Sequence, residues 1–499
     1  MPLIALGDIV RHHARRKPDD AIAVCYPDGE WTWWELEARA NRRARFFRDL
    51  GVGRDDVVTI AVPNSSKFFE ITFALWKLGA TPNVISSRLP LHEQRAIAEL
   101  AQPKLVVAAS PEPLGDVPAI PFDADASGYS SDAMDATVGS HWKAMTSGGS
   151  TGRPKLIVDH MKSEYDPANT QYYMRQDDTV LVPGPLYHNS PFCCSHLPLF
   201  NGSKIVGLAK FDAPEALKQI EKHRIGWVNF VPTMMHRIWA LPADLRNSFD
   251  LSSLHAIWHM AAPMPVWLKH VWIEWLGAER IFELYGGTEA QGQTWIDGNQ
   301  WLKKPGSVGP IHGDAKIRVL REDGSDCAPG EVGEVYLLPP DLKNLPYHYV
   351  GAEPKRLEDG WESLGDMGYL DEDGYLFLAD RRTDLILRGG ANIYPAEIEA
   401  AIDSHPAIAS SIVIGLPDAD LGQRVHALVQ PKDEAVAVSA LHAFLKERLA
   451  GYKLPGSYEF CDTPLRDDAG KARRSALRNE RIDWLNGKRD FMLTPQHAA

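Results

Sequence analysis

The sequence predicts an α/β protein: a large N-terminal domain of α/β layers carrying a β-rich subdomain, then a small α+β C-terminal domain. Three observations predict this. Short β-rich runs and helical runs take turns along the chain as far as residue 284, which is the pattern of layered α/β structure. From about Gly309 the texture changes to strands separated by Asp-Gly and Pro-Gly turns, with little helix. Past Arg382 helices and strands mix again over a stretch long enough to hold its own core.

In chain order, 6–16 reads as a first amphipathic helix, because His12, His13, Arg15 and Arg16 follow a short apolar patch; it does not read as a signal peptide. A strand at 21–25 and a helix over 33–50, stopped by Gly51, come next. The strand 57–62 and the helix 68–78, ending at Gly79, lead to strands at 81–85, 105–109 and 120–122. Residues 142–145 and 156–158 are short and apolar and flank a Gly-rich loop, so strand, loop and strand are expected there. Pro214 opens a helix with Leu217 and Ile220 on one face, and 225–231 is a strand. A helix over 234–241, the strand Ala256–His259, a helix over 267–276 and a strand at 281–284 repeat the unit.

Strands at 315–320, 331–338 and 375–379 make the β-rich subdomain. The last domain holds helices over 395–402 and 439–449 and strands at 410–414, 426–430 and 458–461. The run 380–384 is the boundary, giving domains 1–380 and 385–499 joined by a hinge at 381–384.

A net charge of −13, with no dominating Lys/Arg cluster, argues against a nucleic-acid partner. No apolar run approaches the roughly 20 residues of a membrane span. Five cysteines without C-x-x-C spacing suggest neither a disulfide framework nor a zinc site, so a reducing cytoplasm is expected. Nothing in the sequence signals an oligomeric state.

The chemistry starts at Thr146-Ser147-Gly148-Gly149-Ser150-Thr151-Gly152-Arg153-Pro154-Lys155. Hydroxyls, glycines and a terminal cation let backbone N–H groups converge on an anion with no side chains in the way. A P-loop would need glycine five residues after Gly148 or Gly149, where Arg153 and Pro154 stand. Taken alone, the decapeptide reads more readily as a surface linker.

Tyr285-Gly286-Gly287-Thr288-Glu289 follows a predicted strand and offers an aromatic face, two permissive glycines, a hydroxyl and a carboxylate. Such residues can stack a purine, hold a phosphate and bind a hard divalent ion, or simply make a tight turn. Asp366, between glycines, suits two ribose hydroxyls and also ordinary turn chemistry. Lys471 stands in a basic run that by itself reads as a solvated cluster.

Together these segments resemble the adenylate-forming superfamily, which includes acyl-CoA synthetases, adenylation domains and luciferases. The resemblance implies that the loop from Thr146 to Lys155 cradles the ATP phosphates. It implies that Thr288 holds the AMP phosphate and Glu289, with Thr151, holds Mg²⁺. Ala261, Ala262 and Pro263 match the segment along the adenine, Asp366 the ribose ligand, and Arg381 the nucleotide contact near the phosphate. His188, in an aromatic-His pair with Tyr187, falls near the acyl carboxylate and the pantetheine tunnel. Lys471 matches the mobile catalytic lysine at a hairpin tip, and Gly389 and Gly390 the segment that swings in to build the thiol site.

Some positions depart from the pattern. Thr383 stands where the hinge usually has Asp or Lys, Leu156 follows Lys155 in place of Gly, and Met260 replaces a frequent small glycine. The expected activity is a carboxylate–CoA ligase using ATP, Mg²⁺ and coenzyme A, with a mobile C-terminal domain. The stretch 259–263 with 285–292 looks like the branch of bacterial bile-acid and related ligases, so a bulky hydrophobic or polycyclic acid is expected. Trp258, Met234 and Met235 are candidate pocket residues, or plain core. The alternatives are a stand-alone adenylase that stops at acyl-AMP, or a ligase of fatty or aryl acids.

Overall fold

The computed structural model describes residues 2–111, 117–148, 154–381, 383–389, 391–418, 420–432, 436–467 and 470–487, with no side-chain description at Arg381. Two large sheets organise the first two thirds of the chain. One has nine strands, and its centre runs Ile281–Gly286, Ala256–His259, Trp227–Phe230, Thr179–Val182, Lys204–Gly207 and Ile22–Tyr26, all parallel neighbours. The other has seven, with Ala144–Gly148, Thr81–Val84, Val57–Ala61 and Leu105–Ala108 parallel at its centre.

The helices form for local reasons and are then buried by the sheets. Trp33–Asp49 opens with a capping box, in which Glu35 N donates to Thr32 Oγ1 (3.1 Å) and Thr32 N donates to the Glu35 carboxylate (2.8 Å). Ser66–Leu78 stops at Gly79, whose φ of 72° is the left-handed conformation that glycine adopts without a Cβ penalty. Phe68, Phe73 and Trp76 of that helix share one core with Val58 of one sheet and Val180 and Trp258 of the other. Two of its charged residues are buried with partners: Glu70 accepts from Arg43 Nε (2.7 Å), and Lys77 donates to Glu37 (2.9 Å). Unpaired, those charges would be costly to bury.

The β-rich subdomain is a seven-stranded antiparallel sheet in which Asp366–Leu370 pairs with Leu376–Arg381, placing Asp366 opposite Arg381. The C-terminal part packs the helices Pro395–Asp403 and Val438–Lys446 on a five-stranded sheet, with Ile398, Ile402, Val413, Val425 and Leu441 in its core.

Three differences from the sequence reading have physical causes. The helices Leu91–Ala101 and Asn189–Phe200 were not expected; the second holds Pro191 and Pro198 and is buried around most of its surface, so it shows no amphipathic period. The strands Ile408–Asp418 and Gly422–Pro431 run about twice the expected length, because they pair as one long hairpin beyond their apolar centres. Gly470 and Lys471 sit in a turn between the strand Ser457–Phe460 and the helix Arg474–Leu485, not at the tip of a two-stranded hairpin. No helix among the described residues is long and apolar enough to cross a membrane.

Candidate active site

The strands Ala144–Gly148 and Pro154–Asp159 pair antiparallel, with Ser147 opposite Lys155 and Gly148 opposite Pro154. They form the expected clamp; Gly149, Ser150, Thr151 and Gly152 lie outside the described residues. Thr146 is aimed by a neighbour the sequence did not suggest. Asn83, wholly buried on the adjacent parallel strand, donates from Nδ2 to Thr146 Oγ1 (3.0 Å) and to Ala144 O (3.0 Å).

Across from this loop the strand Ile281–Gly286 delivers Tyr285, Gly286, Gly287, Thr288 and Glu289. Glu289 is 6% exposed. Its Oε1 accepts from Tyr349 OH (2.6 Å) and lies 3.4 Å from Lys155 Nζ, which itself sits 3.7 Å from the Tyr349 ring centroid. Burial, then the Glu289 carboxylate, pushes the Tyr349 phenol far up, so it remains a donor. One buried carboxylate held this way, beside Lys155, fits a magnesium ion, which prefers a few carboxylate and phosphate oxygens and keeps several waters.

A Cβ at Gly287 would fall 2.5 Å from Leu364 and 2.7 Å from Glu289 Oε2, so only glycine lets the backbone pass here. Tyr285 OH donates to Asp366 Oδ2 (2.8 Å), joining two motifs 81 residues apart. Ala261 and Ala290 have φ of +73° and +53°. Each costs about 1–2 kcal/mol, and such strain gathers at functional sites. Ala261 begins the loop with Ala262 and Pro263 at the end of the strand Ala256–His259.

His188 precedes the helix Asn189–Phe200 as its N-cap residue, and its ring centroid lies 4.5 Å from that of Tyr187. Its Nε2 is 3.7 Å from Asp467 Oδ2, in the C-terminal part. There Asp467 and Lys471 close a tight turn: Asp467 N donates to Lys471 O (3.0 Å), and Lys471 N donates to Asp467 Oδ1 (2.8 Å). Gly470, at φ +74°, passes so close to Thr233 that a Cβ would meet its Oγ1 at 2.7 Å. The turn is tied down by Arg466, which donates to Gly470 O (3.3 Å) and Glu399 Oε2 (2.7 Å). Glu399 also accepts from Arg474 (2.6 Å), which reaches Asp384 (3.1 Å).

Most of these groups border one cleft of about 2690 Å³. Its walls include Thr146, Ser147, Lys155, His188, Ala261, Ala262, Pro263, Tyr285, Gly286, Gly287, Thr288, Glu289, Asp366 and Lys471. Gly389, with φ +56°, is not among the cleft residues; its N donates to Leu421 O (2.8 Å). Gly390 and the Arg381 side chain lie outside the description. Met234 and Met260 line the cleft, whereas Trp258 and Met235 are core, Trp258 stacking on Phe282 at 5.0 Å. Asn83, Tyr349, Arg466 and Glu399 were missed because each acts through a partner far away in the chain, and no local pattern marks them.

The arrangement brings the ends of the two strands that flank the Gly-rich loop, two lysines, a buried carboxylate and a Tyr–Asp pair to one cleft, a set of groups suited to activating an acid with a nucleotide. The AMP-binding enzyme family matches residues 10–342, and the AMP-binding enzyme C-terminal domain matches residues 397–471. Feruloyl-CoA synthase of Amycolatopsis sp is 32% identical over 491 residues, covering 95% of this chain and 98% of that protein. The o-succinylbenzoate CoA synthetase of Bacillus subtilis, solved with its acyl-adenylate intermediate OSB-AMP, superposes with a TM-score of 0.81 at 26% identity, over 96% of this chain and 99% of that one. Its complex with ATP and magnesium ion gives 0.80 at 26%, over 94% and 99%. With both of its matched segments in chain order and most of its length covered, this chain belongs to the AMP-binding enzyme family.

Proposed function

We propose that this protein is an AMP-forming carboxylic acid–CoA ligase acting through two half-reactions in one cleft. The acid's carboxylate attacks the α-phosphate of ATP to give acyl-AMP and pyrophosphate; the CoA thiol then attacks the acyl carbon, and AMP leaves. A poor electrophile thus becomes a good one. The observation that carries this reading is the seating of the Asp467–Lys471 turn on the N-terminal part, where Lys471 borders the same cleft as Glu289 and Lys155.

In this reading the loop from Thr146 to Lys155 holds the phosphates, and Lys471 offsets the charge that develops between carboxylate and α-phosphate. Thr288 holds the AMP phosphate, and Tyr285 and the 261–263 loop bracket the base. Asp366, oriented by Tyr285, takes the ribose, with Arg381 near the phosphate. Glu289, steadied by Tyr349, would hold a magnesium ion together with Thr151, and the ion would neutralise phosphate charge. His188 orients the acyl carboxylate. After adenylation the domain 385–499 turns about 381–384, with Thr383 and Asp384 at the pivot, and brings Gly389 and Gly390 to the thiol's path.

The acid is bulky and hydrophobic, of polycyclic or aryl class: Met234, Met260, Leu197 and Met161 line the cleft and give it adaptable apolar walls. Five free cysteines suit a reducing cytoplasm. Pyrophosphate release that depends on such an acid tests the reading; hydrolysis of ATP indifferent to every acid would count against it.

A further inference from the structure

The clamp strands carry more than the phosphate loop. Because side chains alternate along a strand, Lys143, Met145 and Ser147 share a face with Asp159, Ile157 and Lys155. The Ser147–Lys155 end flanks the Gly-rich loop; the Lys143–Asp159 end lies four residues, about 13 Å, further along the strand. Both ends line the same cleft. The Lys143 side chain is 3% exposed and that of Asp159 17%, and Nζ lies 2.9 Å from Oδ2. Trp142, whose ring centroid is 5.0 Å from Nζ, stands beside this pair, and Cys193 and Tyr172, which donates to Gln293 Oε1 (2.9 Å), also line the cleft.

A purely hydrophobic acyl pocket has no use for a lysine and an aspartate at its wall. An ion pair removed from water contributes little net stability, and an apolar pair of the same volume would serve packing as well. A pair that faces the cleft does offer something an apolar pair does not: a donor and an acceptor side by side. Together they are neutral, which suits a hydroxyl, able to accept from the lysine and donate to the carboxylate; a second carboxylate would meet Asp159 as a like charge.

We infer that Lys143 and Asp159 form a subsite for a hydroxyl group carried by the substrate acid far from its reacting carboxylate. This rests on the ligase reading and narrows its substrate to hydroxylated aryl or polycyclic acids. The hydroxyl fixes the depth and rotation of the skeleton, so the effect falls mainly on KM.

The test measures kcat and KM for acids matched in skeleton, bearing a distal hydroxyl, its methyl ether, a second carboxylate or hydrogen. The wild-type enzyme should favour the hydroxyl over hydrogen by about ten- to a hundredfold in kcat/KM, as hydrogen bonds to charged groups do, with the ether between them. In Lys143→Met/Asp159→Leu, which removes both charges and leaves neither stranded, the ratio should fall to about one. A ratio near one in the wild type, or a preference retained in a cooperatively melting double variant, overturns the subsite. If that variant fails to fold, the wild-type series decides: equal use of hydroxyl and ether, or preference for the dicarboxylate, overturns it as well. A panel in which no acid releases pyrophosphate overturns the ligase reading itself, and the subsite with it.

Discussion

Gly470→Ala is the sharpest probe of how the two parts of this enzyme meet. The added Cβ would lie 2.7 Å from Thr233 Oγ1 and 3.3 Å from its Cγ2, well inside ordinary van der Waals contact. Relieving such an overlap costs about 1–3 kcal/mol. The φ of +74° adds about 1 kcal/mol, but it belongs to the turn itself and is present however the domains stand. Only the Thr233 contact is specific to the arrangement that puts Lys471 at the cleft. Adenylation, measured as ATP–pyrophosphate exchange, should therefore fall by about 5- to 150-fold on the contact term alone. Thioester formation from supplied acyl-AMP should be largely spared. Thr233→Gly, placed in the same chain, removes the opposing atoms and should restore most of the loss. Unaltered exchange in Gly470→Ala, or a defect that Thr233→Gly leaves in place, would refute the idea that this contact seats the catalytic turn.

Three further expectations follow from the same geometry. Lys471→Ala should abolish adenylation yet spare thioester formation from acyl-AMP, and Gly389→Trp should do the reverse; equal loss of both half-reactions in either folded variant would contradict alternating domains. Tyr349→Phe removes the donor to Glu289 and should weaken magnesium-dependent ATP binding about tenfold, read as a shift in the Mg²⁺ titration of adenylation; an unshifted titration would separate Glu289 from the metal. Burial, opposed by Arg466 and Ser411 and reinforced by Glu399, pushes the Asp403 carboxyl up to about 7. The folded state thus keeps a proton that the unfolded chain releases near pH 4, so this residue's contribution to stability falls as pH rises from about 4 to about 7. Asp403→Asn should flatten that slope and stabilise the protein relative to wild type at pH 8 by up to about 4 kcal/mol, measured by denaturant melts at pH 5 and 8.

The layered α/β plan was legible because its signals are local. Gly51, Gly79 and Pro214 each announce a helix boundary within a few residues of where it falls. Asn189–Phe200 was hidden for the opposite reason: it is buried against the nine-stranded sheet and the helix Ser66–Leu78, so tertiary packing overrides two prolines and leaves no periodicity to read. In the candidate site, the residues proposed to carry chemistry sit in short ordered strings that the sequence displays directly. Those that aim them are not so displayed. Asn83 reaches Thr146 across a parallel pairing, and Tyr349 reaches Glu289 from a strand hydrogen-bonded to the clamp. Glu399 collects two arginines more than sixty residues away. Trp258 and Met235 show the same limit: their spacing fits pocket or core, and only the fold assigns them to the core.

The most direct test of the central claim is product analysis by mass spectrometry. The purified chain is given ATP, Mg²⁺ and a pool of steroid, terpenoid, fatty and aryl acids, with and without CoA. Acyl-CoA and AMP should form only when CoA is present, from a bulky hydrophobic acid and most readily from one carrying a distal hydroxyl. Acyl-AMP that accumulates and ignores CoA would contradict the account, leaving an adenylase whose acceptor is another thiol.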